Sequence, residues 1–384
     1  MRYSENLYKL PPYIFIEIDK KKRAAREAGK DLIDLGIGDP DRPTPDRILQ
    51  FIKEDAVKPE NHTYPIGRGH KLFKEAVIRW MKKRFNVELS DKEVLALIGA
   101  KDGITHLPLA YLNPGDIVLI PDPGYPGYIG STLIAGGTPY IMPLTKENKF
   151  LPDLKSIPED IYKKSKIMFL NYPNNPTSAM AGLDFYEEVV HYAQKYDFII
   201  AQDAPYSEIY FGKPPVSILE IKGAKKNVIE FYSMSKTFNM TGWRVGYACG
   251  GEEIINGLGT VKENMDSGTV TALQKASARA LDECDKEVAQ IRALYKRRAE
   301  VFYKGLKSAG FNVLEPLATL YLWVTIPDKY TSMEFASRLM EEAGIVVTPG
   351  IGFGKSGDKY IRIALTVEEE VFAKALERLK KFKA

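Results

Sequence analysis

Short apolar segments recur along the first two thirds of the chain, each rich in β-branched or aromatic residues and bounded by turn formers. This pattern predicts buried strands. The predicted strands cover residues 94–98, 117–120, 166–170, 198–201, 228–232 and 245–249. Helix-length segments lie between several of them, and in residues 184–196 one face carries Phe185, Val189, Tyr192 and Ala193. The alternation predicts an α/β fold around a doubly wound, mostly parallel sheet.

The pattern changes after Cys284. A long charged segment there carries apolar residues at helical spacing and stops at Gly310, which predicts one long helix. Three further strand candidates follow, at residues 321–325, 345–347 and 360–364. We therefore expect two domains. The larger would span residues 46–284, and a smaller α/β domain would combine residues 1–45 with residues 285–384.

Composition narrows the class of protein. The chain has 384 residues, and 54 Lys and Arg against 50 Asp and Glu leave a net charge of +4. The basic residues are scattered, so no nucleic-acid partner is expected. Charges at Arg2, Glu5 and Lys9 argue against a signal peptide, and no apolar stretch has the length and continuity of a membrane span. Two cysteines and four histidines suit neither a disulfide framework nor a four-ligand zinc site. We expect a cytoplasmic enzyme without a metal.

The strongest chemical signal lies in residues 229–246. An apolar strand there ends in Ser233, Ser235 and Lys236, and Arg244 follows eight residues later. A lysine directly after a buried strand is poorly placed to be only a solvated side chain. Desolvation and neighbouring cations lower the pKa of a lysine, which frees the neutral amine that attacks a carbonyl. Lys236 is therefore a candidate Schiff-base lysine, beside a candidate phosphate cup of serines and an arginine.

A second strand end carries Asp203, with Tyr206 three residues later. An aspartate at this position is often only a helix N-cap. Beside a Schiff-base lysine, a buried carboxylate can instead hold a pyridinium nitrogen protonated, and a phenol can tune the hydroxyl of the same ring.

Two more strand ends add weaker signals. The amides of Ala100 and Lys101 open a predicted helix and can bind an anion, although many βα turns look similar. Asn175 lies in an Asn- and Pro-rich segment, which is either a simple turn or the source of an amide for a ring oxygen. Strand-end residues of a doubly wound sheet converge where such sheets bind ligands.

As an ordered set, these motifs resemble the fold-type I pyridoxal-phosphate aminotransferases of class I/II. The resemblance rests on Asn174-Asn175-Pro176-Thr177, Asp203-Ala204-Pro205-Tyr206 and Ser233-Met234-Ser235-Lys236 with Arg244. It extends from Gly36-Ile37-Gly38-Asp39-Pro40 to Tyr360-Ile361-Arg362-Ile363-Ala364. It implies pyridoxal 5'-phosphate as cofactor, amino acids and 2-oxo acids as substrates, and a homodimer with shared active sites.

The resemblance also implies roles for single residues. Lys236 would form the Schiff base and catalyse a 1,3-proton shift, and Asp203 would pair with the pyridine nitrogen. Asn175 and Tyr206 would hold the ring hydroxyl, and Arg362 would clamp the substrate α-carboxylate. The other implied cofactor contacts are a stacked Tyr125 and a phosphate site of Ser233, Ser235, Arg244, the amides of Ala100 and Lys101, and Tyr64 of the neighbouring subunit.

Three stretches, residues 7–13, 99–101 and 264–268, most resemble LL-diaminopimelate aminotransferases. That resemblance implies amino transfer from LL-2,6-diaminopimelate to 2-oxoglutarate in lysine biosynthesis. The implied substrate contacts are Tyr13, Gly38, Lys101, Tyr125, Asn175 and Arg362. Tyr13 and Lys101 are alternatively a packed arm residue and a solvated turn lysine. The distal ammonium has no assigned partner, because Gly67 and Arg68 stand where plant-type members have an acidic residue.

Other functions stay open at this point. An aminotransferase that prefers aspartate, alanine or aromatic amino acids would carry the same motifs. A carbon–sulfur β-lyase would use the same lysine and ring to expel a thiol. A non-catalytic pyridoxal-phosphate sensor is not expected, because it needs an attached DNA-binding segment. A nicotinamide dehydrogenase is not expected either, because no βαβ unit surrounds the glycine-rich residues 350–354.

Overall fold

The structure is a computed structural model that describes residues 2–11 and 14–383, except for the side chain of Phe15. Tyr13, a predicted substrate contact, lies outside the described residues. The strands are β1 (Ile33–Asp34), β2 (Val94–Leu97), β3 (Ile117–Asp122), β4 (Thr138–Pro143), β5 (Ser165–Asn171), β6 (Ile199–Asp203), β7 (Val228–Ser233), β8 (Gly246–Gly250), β9 (Asn312–Val313), β10 (Tyr321–Thr325), β11 (Ile345–Val346), β12 (Thr348–Pro349) and β13 (Tyr360–Ala364).

The helices alternate with these strands up to β8 and then dominate the chain. They are α1 (Glu5–Tyr8), α2 (Ile14–Glu27), α3 (Asp46–Ala56), α4 (Lys71–Phe85), α5 (Ala100–Tyr111), α6 (Gly127–Ile134), α7 (Glu159–Lys164), α8 (Leu183–Tyr196), α9 (Met234–Thr237), α10 (Glu252–Met265), α11 (Thr271–Glu283), α12 (Asp285–Ser308), α13 (Ser332–Glu342) and α14 (Glu369–Lys381).

Seven strands form the central sheet, in the order β2-β8-β7-β6-β5-β3-β4. Strand β8 is antiparallel to both of its neighbours, and the other pairings are parallel. Side chains along β5 alternate between two apolar cores, with Met168 and Leu170 in one and Ile167 and Phe169 in the other. Because the sheet is buried on both faces, its strands read as continuous apolar runs. The predicted doubly wound, mostly parallel α/β fold is confirmed.

A second, antiparallel sheet has the order β12-β13-β10-β9, and β1 pairs in parallel with β11. Helix α12 packs beside it and ends at Ser308, just before Gly310, whose φ of 86° favours glycine. Its buried face includes the residues expected from the spacing, which are Val288, Ile291, Tyr295, Phe302 and Leu306. The division into domains at residues 45 and 285 stays a prediction.

Two strand predictions differ from the structure. Strand β4 was missed because it begins after a pair of glycines and contains Pro139 and Pro143, which usually argue against a strand. It lies at the edge of the sheet, where proline is tolerated. The single strand expected at residues 345–347 is two short strands, β11 and β12, with different partners. A short apolar run gives no information about which strand it pairs with.

Within the described part of the chain, no helix is long and apolar enough to cross a membrane. Cys249 and Cys284 are both buried and free.

Candidate active site

Most of the predicted site residues lie along one edge of the central sheet. Strands β2, β3, β5, β6 and β7 run in the same direction, so their carboxyl ends meet at this edge. Strand β8 runs the opposite way and begins here, directly after Arg244 and Val245. The residues that follow the strand ends are Ala100 and Lys101 after β2, Tyr125 after β3, Asn175 after β5, Tyr206 after β6, and Ser235 and Lys236 after β7.

Asp203 is the last residue of β6, and its carboxylate is buried. One oxygen, Oδ2, accepts a 2.7 Å hydrogen bond from the hydroxyl of Tyr128. The other, Oδ1, is buried and accepts no hydrogen bond from any described residue. Burial raises the pKa of Asp203 to about 7, and the hydrogen bond from Tyr128 opposes the rise. A buried carboxylate oxygen without a donor is costly unless a ligand supplies one, so Asp203 is a ready acceptor for a protonated ring nitrogen.

Lys236 lies in the short helix α9, which directly follows β7. Its Nζ donates a 3.0 Å hydrogen bond to the carbonyl of Gly38, from the N-terminal part of the chain. Burial lowers the pKa of the Lys236 amine. Tyr321 and Asp39 oppose that change, whereas Arg362 and Arg244 add to it. Lys236 thus has the depressed pKa that a nucleophilic amine needs.

The phosphate end of the predicted site is built around Arg244 and the start of α5. Gly99 precedes α5 with φ 76°, and a Cβ at Gly99 would lie 2.8 Å from Nη2 of Arg244. The arginine therefore lies against the first turn of α5, whose initial amides have no partner inside the helix. At the end of β7, which neighbours β8, Ser233 and Ser235 are buried. The Oγ of Ser233 caps α9 by accepting a hydrogen bond from the amide of Ser235. Guanidinium, hydroxyls and helix amides together suit an anion.

Arg362 reaches this edge from β13 in the second sheet. Its Nη1 donates to Oδ1 of Asn175 at 2.9 Å, and its Nη2 donates to the carbonyl of Gly36 at 2.9 Å. The Nε atom is buried and has no acceptor among the described residues. The structure thus brings Arg362 and Asn175 together, and Asn175 keeps its amide nitrogen as a donor. A guanidinium held in this way suits a bidentate carboxylate.

Two site residues were missed in the sequence. Tyr128 carries the hydrogen bond to Asp203, and the hydroxyl of Tyr321 lies 2.9 Å from that of Tyr206. Both look like core aromatics, because each lies in an apolar element. The sequence offered one signal for Tyr321. This residue lies in the predicted strand 321–325, which could pair with the predicted strand 360–364 that carries Arg362. In the observed register, Trp323 pairs with Arg362, so Tyr321 and Arg362 share a face.

Two predicted side chains are not drawn into this cluster, and a third, that of Tyr125, contacts one of its members. The side chain of Tyr64 is 89% exposed and lies in an irregular segment. The side chain of Lys101 is exposed, although its amide lies in the first turn of α5. Tyr125 lies at the edge of the cluster, with its ring 5.6 Å from and perpendicular to that of Tyr128.

Three residues of metal-ligating types gather elsewhere: Asp102, His106 and Asp266 bring one potential ligand atom each to within 4.8 Å of one another. The ammonium of Lys262 bonds both carboxylates, at 2.8 Å in the case of Asp266. This buried lysine pairs with both carboxylates and balances one of their two negative charges, so the three residues are accounted for as part of an ion-pair cluster.

Comparisons with known proteins agree with this geometry. The family model for aminotransferase class I and II matches residues 30–379. LL-diaminopimelate aminotransferase from Aquifex aeolicus is 52% identical over 384 residues, which cover 99% of both chains. The protein of the same name from Halothermothrix orenii is 50% identical and covers 99% of this chain and 98% of its own. The substrate-bound BacF structure from Bacillus subtilis matches with a TM-score of 0.95 at 35% identity, over 99% of this chain and 98% of that chain.

Proposed function

The chain belongs to the class I and II aminotransferase family, and from that premise we propose that it transfers the amino group of LL-diaminopimelate to 2-oxoglutarate in lysine biosynthesis. Two relatives with about half of their residues identical over the whole length carry the name LL-diaminopimelate aminotransferase. The observation that carries the chemistry is the Lys236 amine. Burial lowers its pKa, and the neighbouring strand β6 ends in Asp203, one oxygen of which has no hydrogen-bond donor among the described residues.

Pyridoxal phosphate is the cofactor that family membership implies, and the residues fit it. When bound, this cofactor supplies a carbonyl that captures amines and a ring that accepts electron density. Asp203 would hold the ring nitrogen through its free oxygen, and Tyr206 with Asn175 would hold the ring hydroxyl. Arg244, Ser233, Ser235 and the amides of Ala100 and Lys101 would hold the phosphate, and Tyr125 would cover the ring face.

Lys236 has two tasks in this proposal. As a neutral amine it holds the cofactor before substrate arrives, and afterwards its Nζ moves a proton away from the substrate α-carbon. A general base works best when its pKa lies near the working pH, so the burial that lowers the lysine pKa serves both tasks. The carbonyl of Gly38, which accepts from Nζ, keeps the amine oriented.

Arg362 would bind the substrate α-carboxylate, with Asn175 beside it. Both are buried, so the carboxylate would meet a desolvated guanidinium, where a charge-assisted hydrogen bond is stronger than in water. Gly38 would border the substrate, because a Cβ there would lie 2.3 Å from the Tyr321 hydroxyl and no side chain fits. Tyr13 and the side chain of Lys101 stay predicted contacts to the distal half of the substrate.

A substrate panel tests the proposed function. Purified, cofactor-loaded protein is incubated with 2-oxoglutarate and LL-diaminopimelate, aspartate, alanine or tyrosine, and glutamate formation is measured. We expect the highest kcat/KM with LL-diaminopimelate. A higher value for another amino acid would replace the substrate and keep the reaction. Release of pyruvate and thiol from cystathionine without an oxo acid, with no glutamate from any donor, would replace the reaction by β-elimination.

We also propose that the protein is a cytoplasmic homodimer in which Tyr64 serves the phosphate site of the partner. Tyr64, Ile66, Met265 and Val270 are exposed apolar side chains on two segments that meet where Gly268 lies beside Gly67. An exposed apolar patch of this kind is typical of an interface. The free, buried cysteines fit a reducing compartment.

A further inference from the structure

Tyr321 lies at the centre of the candidate active site and has no role so far. Its side chain is buried, with only 2% of the residue exposed. The hydroxyl lies 2.9 Å from the hydroxyl of Tyr206 and donates a longer, 3.4 Å hydrogen bond to the carbonyl of Gly38. That carbonyl also accepts from Lys236. One phenol therefore contacts the predicted ring-hydroxyl partner and the group that holds the lysine.

The ring of Tyr321 has a second contact. The guanidinium carbon of Arg362 lies 4.1 Å from the centroid of this ring and 4.8 Å from the centroid of the Phe353 ring. A guanidinium that lies over the face of an aromatic ring is attracted to it, and this attraction helps to fix the position of the guanidinium. The ring of Tyr321 thus supports Arg362, the residue predicted to bind the substrate carboxylate.

The hydrogen bonds of the two phenols depend on each other, because each has a single hydrogen. If Tyr206 gives its hydrogen to a ring oxygen of the cofactor, the bond between the phenols persists only if Tyr321 turns its own hydrogen from the carbonyl of Gly38, 3.4 Å away, to the nearer hydroxyl of Tyr206, 2.9 Å away. Such a donated bond makes the Tyr206 hydroxyl a stronger donor, since chains of hydrogen bonds polarise one another. Without the Tyr321 hydroxyl, Tyr206 would stabilise a negative ring oxygen less well.

We propose that Tyr321 is a positioning residue that strengthens the hydrogen bond of Tyr206 through its hydroxyl and orients Arg362 through its ring. This inference rests on the proposed function for the identity of the bound groups. Tyr321 would then connect two parts of the site: Tyr206, which would hold the ring hydroxyl of the cofactor, and Arg362, which would bind the substrate carboxylate.

The charged and titratable groups around Lys236 and Tyr206 come from several elements. Those that face Lys236 are Tyr321, Asp39, Arg362 and Arg244. Those that face Tyr206 are Tyr321, Arg362 and Asp203. Among them, Tyr321 is the group that hydrogen-bonds Tyr206 directly, so removal of its hydroxyl leaves the other charges in place.

The hydroxyl is tested with Tyr321→Phe, which keeps the ring. The visible absorption band of the cofactor-loaded protein is titrated with pH in the absence of substrate. We expect the midpoint of the titration to rise by about half a unit to one unit, because a weaker hydrogen bond at the ring oxygen favours a proton at the lysine nitrogen. Tyr162→Phe removes another buried hydroxyl, which donates to Leu154 O, and should leave the midpoint unchanged.

The ring is tested with Tyr321→Leu and, should that variant not fold, with Tyr321→Met. Calorimetry measures the dissociation constant of glutarate, an unreactive dicarboxylate, for each loaded protein. We expect Tyr321→Phe to bind glutarate as the wild type does and the variant without a ring to bind it about tenfold more weakly.

A wild-type titration midpoint in Tyr321→Phe would overturn the role of the hydroxyl, and wild-type glutarate binding without the ring would overturn the role of the ring. Neither measurement uses turnover. A shifted midpoint in a protein that does not act on LL-diaminopimelate would therefore remove the proposed substrate and leave the role of Tyr321 standing.

Discussion

At the residue scale, two buried carboxyl groups differ in whether the protein supplies hydrogen-bond donors to both of their oxygens. Burial raises the pKa of both Asp203 and Glu230 to about 7. Glu230 has donors for both of its oxygens, from Ser217, Tyr232 and the amide of Ile218. Asp203 has one donor, and its second oxygen has none among the described residues. The described residues satisfy both oxygens of Glu230, whereas the second oxygen of Asp203 is the acceptor that we propose for the ring nitrogen of the cofactor.

Asp203→Asn should change how the stability of the cofactor-free protein depends on pH. The pKa of Asp203 is higher in the folded state, about 7, than in the unfolded state, so its contribution is complete below about pH 4 and is lost as the pH rises through 7. Between pH 5 and pH 8 we expect the wild type to lose about 3 kcal/mol more unfolding free energy than Asp203→Asn. Urea unfolding at the two pH values measures this difference.

Glu230→Gln is the matched control, because it removes a similar titration and leaves that of Asp203 in place. Its pH dependence should still contain the loss assigned to Asp203. Equal slopes in the wild type and Asp203→Asn would mean that the buried carboxyl group titrates normally.

The residues found from the sequence and those missed differ in their chemical type. Lys236 and Asp203 are polar groups directly after buried strands, where a structural reason for them is hard to find. Tyr128 and Tyr321 are aromatic residues inside apolar elements, so the pattern gives them the same appearance as the core. Their roles depend on contacts with distant parts of the chain, and such contacts appear only in the folded structure.

At the element scale, the bounds of the central strands were predicted to within two residues, because strands buried on both faces leave continuous apolar runs. The strand prediction failed where a strand is not buried on both faces, because such a strand leaves no continuous apolar run. Met142 is the one buried residue of edge strand β4, and the other five are half-buried or exposed. The pairing partners of β11 and β12 also lay outside the reach of local sequence patterns.

Helices α4 and α12 are joined through Glu208, which lies two residues after Tyr206. The buried carboxylate accepts from Nε of Arg84 at 2.8 Å and from Nη2 of Arg292 at 2.6 Å. Removing one member of a buried ion network leaves the others uncompensated. We expect Glu208→Ala to lower the free energy of unfolding by about 3 to 5 kcal/mol, as measured by urea unfolding.

An exposed ion pair is the control for that variant. Arg79 of α4 pairs with Asp282 of α11 at 2.7 Å, and both side chains are more than a third exposed. Asp282→Ala should cost less than about 1 kcal/mol. A similar small loss for Glu208→Ala would show that Arg84 and Arg292 find other partners and that Glu208 does not join the two helices.

At the scale of the whole molecule, the predicted shared site gives Tyr64 a measurable signature. We expect Tyr64→Phe to weaken cofactor binding about tenfold, because it removes a hydrogen bond to a charged phosphate. Mixed dimers of Tyr64→Phe and Lys236→Ala subunits should contain one intact site, which combines Lys236 of one subunit with Tyr64 of the other. Cofactor titration of isolated mixed dimers measures the affinity of that site.

Wild-type affinity at this site of the mixed dimer supports the exchange of Tyr64 between subunits. A tenfold weaker site, as in the Tyr64→Phe homodimer, would place the tyrosine at the site of its own chain. A monomer in light scattering would contradict the homodimer altogether.

The proposed chemistry depends on Lys236 as the amine that holds the cofactor. The most direct measurement is borohydride reduction of the cofactor-loaded protein, which fixes the cofactor to the amine that carries it, followed by peptide mass spectrometry. We predict a pyridoxyl phosphate mass on the peptide that contains Lys236, and no such label in Lys236→Ala. A label on another lysine, or the same labelling of Lys236→Ala, would mean that a different amine holds the cofactor.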